Sequence, residues 1–242
     1  MEIIVLGNRG PYPKHDAPCS GYLIKGQEGW IVLDLGSGSL MNLQKVIKIE
    51  DVKAVILSHL HSDHISDVLP LRYAVDVKMM KGDMGTVPVY LPEEPEKEFE
   101  LLPFKNVLEL IPVDVEKTYG ICGLTVEFKP MVHPYRSYAV KVREGRKTFV
   151  YSGDTAVNDG LAEFAKNADL FLCESALLEK EKKDGAMHMT PKEAAAVAKK
   201  AQVKKLLLTH FSPDNSPDCY LDEAKDVFED VECAEMLKQY II

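Results

Sequence analysis

The stretch SHLHSDHISD, Ser58 to Asp67, follows directly on the apolar run VKAVIL and constrains this chain more than any other. It holds three of the seven histidines, His59, His61 and His64, with Asp63 among them. So dense a set of ligating side chains has little structural use without a metal ion. Such a set needs a loop whose ends are held rigidly, and a buried strand running straight into it supplies one anchor.

The same arrangement recurs along the chain. TVEFKPMV leads to His133, KTFVYSG leads to Asp154, and KKLLLT leads to His210. Strand ends aligned on one sheet edge would bring these side chains together. His59 and His61 flank a single residue, so both imidazoles can reach one ion. Asp63 and His64 can turn to a second, Asp154 can bridge, and His133 and His210 complete the two shells. Imidazoles with a few carboxylates suit Zn2+, with Mn2+ or Fe2+ as alternatives. Two divalent ions less the charges of Asp63, Asp154 and a bridging hydroxide leave one positive charge, which suits a monoanion such as a phosphodiester. A water held by such ions loses its proton near neutral pH and becomes the nucleophile.

The rest of the chain alternates strand and helix signals. EIIVLG, GYLIKG and WIVLDLG read as strands, LMNLQKVIK as a short amphipathic helix, and ISDVLPLRYAV as a helix with a proline in its middle. From Val77 to Glu116 five prolines and the acidic EEPEKEFE leave one strand, VPVYL, a short helix and loops. LTVEFKP, SYAVKVRE and KTFVYSGD are successive strands, followed by the helix VNDGLAEFAKNA and the strand DLFLCES. TPKEAAAVAKKAQ is the clearest helix, with Thr190 as N-cap, Pro191 at its first position and Glu193 closing a capping box. The strand KKLLLTHF and a last helix and strand finish the chain. Strand-rich halves with helices in both predict two packed sheets with helices outside, as one domain over residues 1–242.

Composition narrows the function. A net charge of −9 and an isoelectric point near 5.3 argue against broad nucleic-acid binding. MEIIVLG has no basic leader and reads as a first strand, and no apolar run reaches membrane-spanning length. The five cysteines form no C-x-x-C and read as reduced thiols, mostly buried, which fits a cytoplasmic protein.

SHLHSDH, His133, SGDT and LTHF, in this order, resemble the metallo-β-lactamase superfamily over nearly the whole chain. The resemblance implies a four-layer αβ/βα sandwich with two mixed sheets, outer helices and the metals at one edge. It implies that His59, His61 and His133 bind one metal, Asp63, His64 and His210 the other, and that Asp154 bridges. Asp154 stands where true β-lactamases use a cysteine, which disfavours antibiotic hydrolysis.

The segment AMHMTPKEAAAVAKKAQVKKLLLTHFSP is similar to the end of the ribonuclease Z and small phosphodiesterase branch. There His188 matches a histidine that protonates the leaving alkoxide, and it precedes a helix N-terminus that favours anions. Glu174 matches a glutamate that orients it, although Cys173 replaces the histidine expected before it. Asp63 orients the attacking hydroxide. Classical ribonuclease Z carries a tRNA-clamping arm between the third histidine and the bridging aspartate. Here only two strands and the turn REGR fit between His133 and Asp154. The expected substrate is therefore a small, cyclic or nucleotide-like phosphodiester, or an RNA end, rather than tRNA. The alternatives are a lactonase or thioesterase of the same fold, or a metal-binding protein without catalysis. Ser137 and Tyr138 are candidate substrate contacts. Arg9 and Arg136 are candidate anion contacts that read more simply as surface residues, and His15 reads as exposed. Relatives of the branch are often homodimers.

Overall fold

A computed structural model describes all 242 residues. The first half supplies β1 (Glu2–Gly7), β2 (Gly21–Lys25), β3 (Trp30–Leu35), α1 (Ser39–Val46), β4 (Val52–Ile56), α2 (Ser62–Ile65), α3 (Val68–Met80), β5 (Val87–Leu91), α4 (Glu96–Glu100) and β6 (Leu108–Pro112). The second supplies β7 (Tyr119–Ile121), β8 (Leu124–Pro130), β9 (Tyr138–Glu144), β10 (Lys147–Tyr151), α5 (Asp159–Phe164), β11 (Leu170–Glu174), α6 (Pro191–Ala201), β12 (Leu206–Thr209), α7 (Pro217–Lys225), β13 (Val231–Cys233) and β14 (Gln239–Ile241).

The strands form two seven-stranded sheets, in the orders β14-β1-β2-β3-β4-β5-β6 and β13-β12-β11-β10-β9-β8-β7. Each sheet is mixed. β1, β2 and β3 pair antiparallel while β3 to β6 are parallel, and β7 to β10 are antiparallel while β10 to β13 are parallel. Alternation of side chains sorts the core into three layers. Ile3 and Val5 of β1 join Phe149, Tyr151 and Leu172 between the sheets. Ile4 and Leu6 point the other way, to Leu43, Val68 and Leu71 of α1 and α3. Val150 and Phe171 pack on Ala194, Ala198 and Tyr220 of α6 and α7. With apolar layers on both faces the central strands read as unbroken apolar runs, and the result is the expected αβ/βα sandwich.

Some elements differ from the sequence reading. ISDVLPLRYAV is not one helix. The four-residue α2 ends at Ile65, and α3 restarts at Val68, which places Pro70 in its first turn. There its missing N–H has no intrahelical partner to lose. β6, expected as loop, pairs in parallel along the whole of β5. α6 carries the capping box as read: Thr190 Oγ1 accepts from Glu193 N at 3.2 Å and Glu193 Oε2 accepts from Thr190 N at 2.9 Å. Of the cysteines, Cys19 and Cys173 are buried, Cys122 and Cys233 half-buried and Cys219 exposed, so fewer are buried than expected. No helix is long and apolar enough to cross a membrane.

Candidate metal centre

The C-terminal ends of β3, β4, β8, β10, β11 and β12 deliver Asp34, His59 to His64, His133, Asp154, Glu174 and His210 to one edge of the sandwich. Two polar ties fasten the sheets beneath it. Tyr22 Oη and Thr209 Oγ1 stand 2.7 Å apart, and Tyr151 Oη donates to Asp34 Oδ2 at 3.0 Å.

Asp154 is the hub. Its Oδ2 lies 3.6 Å from His59 Nε2, 3.4 Å from His64 Nε2 and 3.2 Å from His210 Nε2. On one side His61 Nδ1 is 3.0 Å from His59 Nε2 and 3.1 Å from His133 Nε2. On the other, Asp63 Oδ2 is 3.1 Å from His210 Nε2 and 3.6 Å from His64 Nε2. The sequence-predicted ligands thus gather as His59, His61, His133 and Asp154 beside Asp63, His64 and His210.

The donor set fits divalent ions. Ligand atoms at about 2.0–2.1 Å from a tetrahedral zinc stand roughly 3.3–3.4 Å from each other, the range of the spacings here. His64 Nε2 and Asp154 Oδ1 are buried with no hydrogen-bond partner, although nearly all such atoms find one. Burial pushes His59 well below the usual histidine range and takes His61 down to about 4, so both present neutral nitrogens. His64, despite its burial, is pushed well up by Asp154, Asp63 and Asp34, which together call for a cation in their midst.

One residue escaped the sequence reading. Asp34 lies in a bulge of β3: Gly21 pairs with Leu35 and Tyr22 with Leu33, leaving Asp34 unpaired at φ +54°. Bulges re-aim side chains beside active sites, and Asp tolerates the left-handed region. The buried Asp34 carboxylate accepts from Ser58 N at 2.7 Å, from Ser58 Oγ at 2.8 Å and, at 2.8 Å, from His64 Nδ1. That last bond fixes the His64 tautomer and aims Nε2 at the cluster. The one trace in the sequence is that WIVLDLG is another apolar strand with an aspartate near its end; the bulge that re-aims the side chain leaves none.

His210 is also held by shape. It sits at φ +60°, and a Cβ built on Gly10 would lie 2.1 Å from its Nε2, so the LGNRG turn closes flat against the imidazole. The structure brings His188 and Glu174 together, with Nδ1 3.0 Å from Oε1. Glu174 is fully buried and also accepts from Thr155 N and Ala176 N, each at 3.0 Å. Burial lowers the His188 pKa, but the Glu174 carboxylate overrides it and, helped by Asp154, carries it up to about 9. The His188 ring stacks at 5.5 Å on that of His210.

Ser137 and Tyr138 are not where substrate contacts are needed. They are only 1% and 3% exposed, and Tyr138 packs between the sheets while its N–H donates to Ser58 O at 2.9 Å. Tyr138, the first residue of β9, is turned into the core, and Ser137 is buried just before it. Arg9 is not a surface residue: it is 6% exposed and its Nη1 donates to Ser212 O and Asn215 O, bracing the loop after His210. Arg136 is exposed and pairs with Glu94, and His15 is exposed, as read. A cavity of about 590 Å3 lined by Glu93, Asp114, Arg136 and Tyr138 contains none of the clustered histidines.

The family model described as "Beta-lactamase superfamily domain" matches residues 29–211, which spans the histidine cluster, Asp154 and His210. The chain belongs to the β-lactamase superfamily, in its metal-binding form. This superfamily member is 32% identical to the probable metallo-hydrolase YhfI of Bacillus subtilis over 229 residues, 94% of each chain. The YhfI crystal structure superposes with a TM-score of 0.93 over 99% of both chains. Ribonuclease Z of Clostridium acetobutylicum is 28% identical over 293 aligned positions, covering 95% of this chain and 94% of that enzyme. That alignment is longer than the 242 residues present here, so the enzyme carries sequence with no counterpart in this chain. The short form of human tRNase Z shares the fold, with a TM-score of 0.79 at 22% identity over 100% of this chain and 99% of that one. These relatives set the superfamily member beside the ribonuclease Z-like branch.

Proposed function

We propose that this protein is a dinuclear, zinc-dependent phosphodiesterase acting on small or cyclic phosphodiesters. The observation that carries the reading is the seat of His188: beside the ligand cluster, stacked on His210, and anchored through Nδ1 to a buried carboxylate. A thioesterase, whose thiolate leaves readily, has less use for such a proton donor.

Two divalent ions held by His59, His61, His133, Asp154, Asp63, His64 and His210 would polarise the phosphoryl oxygens and supply a hydroxide nucleophile at neutral pH. The remaining chemistry belongs to side chains. Asp63 would orient that hydroxide in line with the bond to be broken. His188, with Nδ1 committed to Glu174, presents Nε2 to the leaving oxygen and protonates it. Glu174 holds that imidazole in its protonated form and orientation. Small substrates are favoured because β9 and β10 form a tight hairpin that takes up the interval between His133 and Asp154. The net charge of −9 argues the same way, against an RNA-gripping surface.

Side-by-side assay of the metal-loaded protein on bis(p-nitrophenyl) phosphate, an acyl-homoserine-type lactone and an acyl thioester tests this. Preference for the diester supports it. Faster turnover of the lactone or thioester, or of none, refutes it.

A further inference from the structure

The acidic stretch Glu93 to Glu100 has no part in the chemistry above, yet it closes one side of the metal edge. Tyr135 Oη, two residues past His133, donates to Glu98 Oε1 at 3.1 Å. Arg136 Nη2 donates to Glu94 Oε1 at 3.3 Å. Behind, Arg72 of α3 donates to the carbonyls of Leu101 and Leu102. The segment is thus tied to the loop after His133, and the residues that follow it, Leu101 and Leu102, to α3.

Between these ties lies a cavity of about 300 Å3. Ile65, Leu69 and Leu101 make apolar walls. His61 forms the end that it shares with the metal cluster, and the Tyr135 ring lies over that imidazole with centroids 4.0 Å apart. Glu98 is its one acidic lining residue, and no Lys or Arg lines it. Small-molecule sites combine mostly apolar walls with a few polar groups, and this volume stands at the small end of their range.

We propose that this cavity seats the non-reacting substituent of the diester, and that it selects a neutral, ring-sized apolar group. The assignment deepens the phosphodiesterase reading and rests on it. An apolar ring gains by leaving water against Leu69 and Leu101 and by packing on Tyr135. A substituent bearing a further phosphate meets the Glu98 carboxylate with no Lys or Arg in the lining to balance it, so a polynucleotide continuing in this direction is disfavoured.

Two esters with the same leaving group isolate the cavity: phenyl p-nitrophenyl phosphate and methyl p-nitrophenyl phosphate. The wild type favours the phenyl ester in kcat/KM by about tenfold or more. Leu69→Trp, which fills the space, and Leu101→Asp, which charges an exposed wall, both bring the ratio toward one. A binding readout accompanies the rates, with phenylphosphonate and methylphosphonate titrated calorimetrically into metal-loaded protein. Phenylphosphonate binds about tenfold tighter to the wild type, and the preference collapses in either variant. Equal handling of the two esters and two phosphonates by wild type and variants overturns the cavity assignment alone. Turnover of neither ester overturns the phosphodiesterase reading and this assignment with it.

Discussion

His188 Nδ1 lies 3.0 Å from Oε1 of Glu174, a carboxylate with no solvent exposure that also holds the backbone N–H groups of Thr155 and Ala176. The histidine is therefore oriented by a group that is itself immobilised. If Glu174 acts through His188, its replacement matters only while the histidine is present. Glu174→Gln lowers kcat on a diester by about tenfold in the wild type, and adds almost nothing in a His188→Ala background. Independent, multiplying losses would show that Glu174 serves the fold and not His188.

Asp34 predicts a metal phenotype from a residue that touches no metal. Asp34→Asn weakens the His64 Nδ1 bond and sets an amide N–H2 against donors. Metal affinity on the His64 side falls by about 10–100-fold, the usual cost of losing an orienting partner. Metal analysis after dialysis against a graded chelator reads this as early loss of one equivalent. Retention of both equivalents at wild-type chelator concentration contradicts it.

The contact of Gly10 with His210 makes a single methyl group decisive. Gly10→Ala places a carbon 2.1 Å from Nε2, so the imidazole must move off the cluster. The variant binds metal at least about tenfold more weakly. Gly120→Ala, where a Cβ meets nothing within 4 Å, serves as the control and keeps wild-type affinity. Equal metal content in the two variants would remove His210 from the ligand set.

Metal and folding are linked, because the cluster exists only in the folded chain. Restoring zinc to chelator-treated protein at about a hundredfold over its Kd adds about 2.7 kcal/mol per site. For a chain of this size that raises Tm by roughly 5–10 °C. Calorimetric scans that superpose with and without zinc, manganese or iron would mean that no ion is held.

Much of this was legible in the sequence, for physical reasons that differ by residue. His59, His61, Asp63 and His64 lie within six residues, so their spacing alone implies convergence. His133, Asp154 and His210 are legible because each follows an apolar strand, and strands that run in the same direction end on one edge. The α6 capping box is local and survives folding unchanged. Asp34 was not legible, since a bulge and a positive φ arise from pairing with β2 and leave no mark of their own in WIVLDLG. The burial of Ser137 and Tyr138 depends on how β9 packs against the facing sheet, which spacing from His133 does not reveal. The Tyr135–Glu98 contact joins segments 37 residues apart. It follows from where α4 packs, and no periodicity announces that.

The most direct test of the central claim is the His188→Ala variant, with its metal counted, on two diesters that differ in leaving group. His188 is assigned as the acid for the leaving oxygen, so its loss must matter most where that oxygen is basic. With both metal equivalents retained, turnover of a 2′,3′-cyclic nucleotide falls by about 100-fold or more, and turnover of bis(p-nitrophenyl) phosphate, whose phenolate leaves readily, falls by less. Unchanged turnover of both diesters by a fully metal-loaded His188→Ala variant would contradict the account.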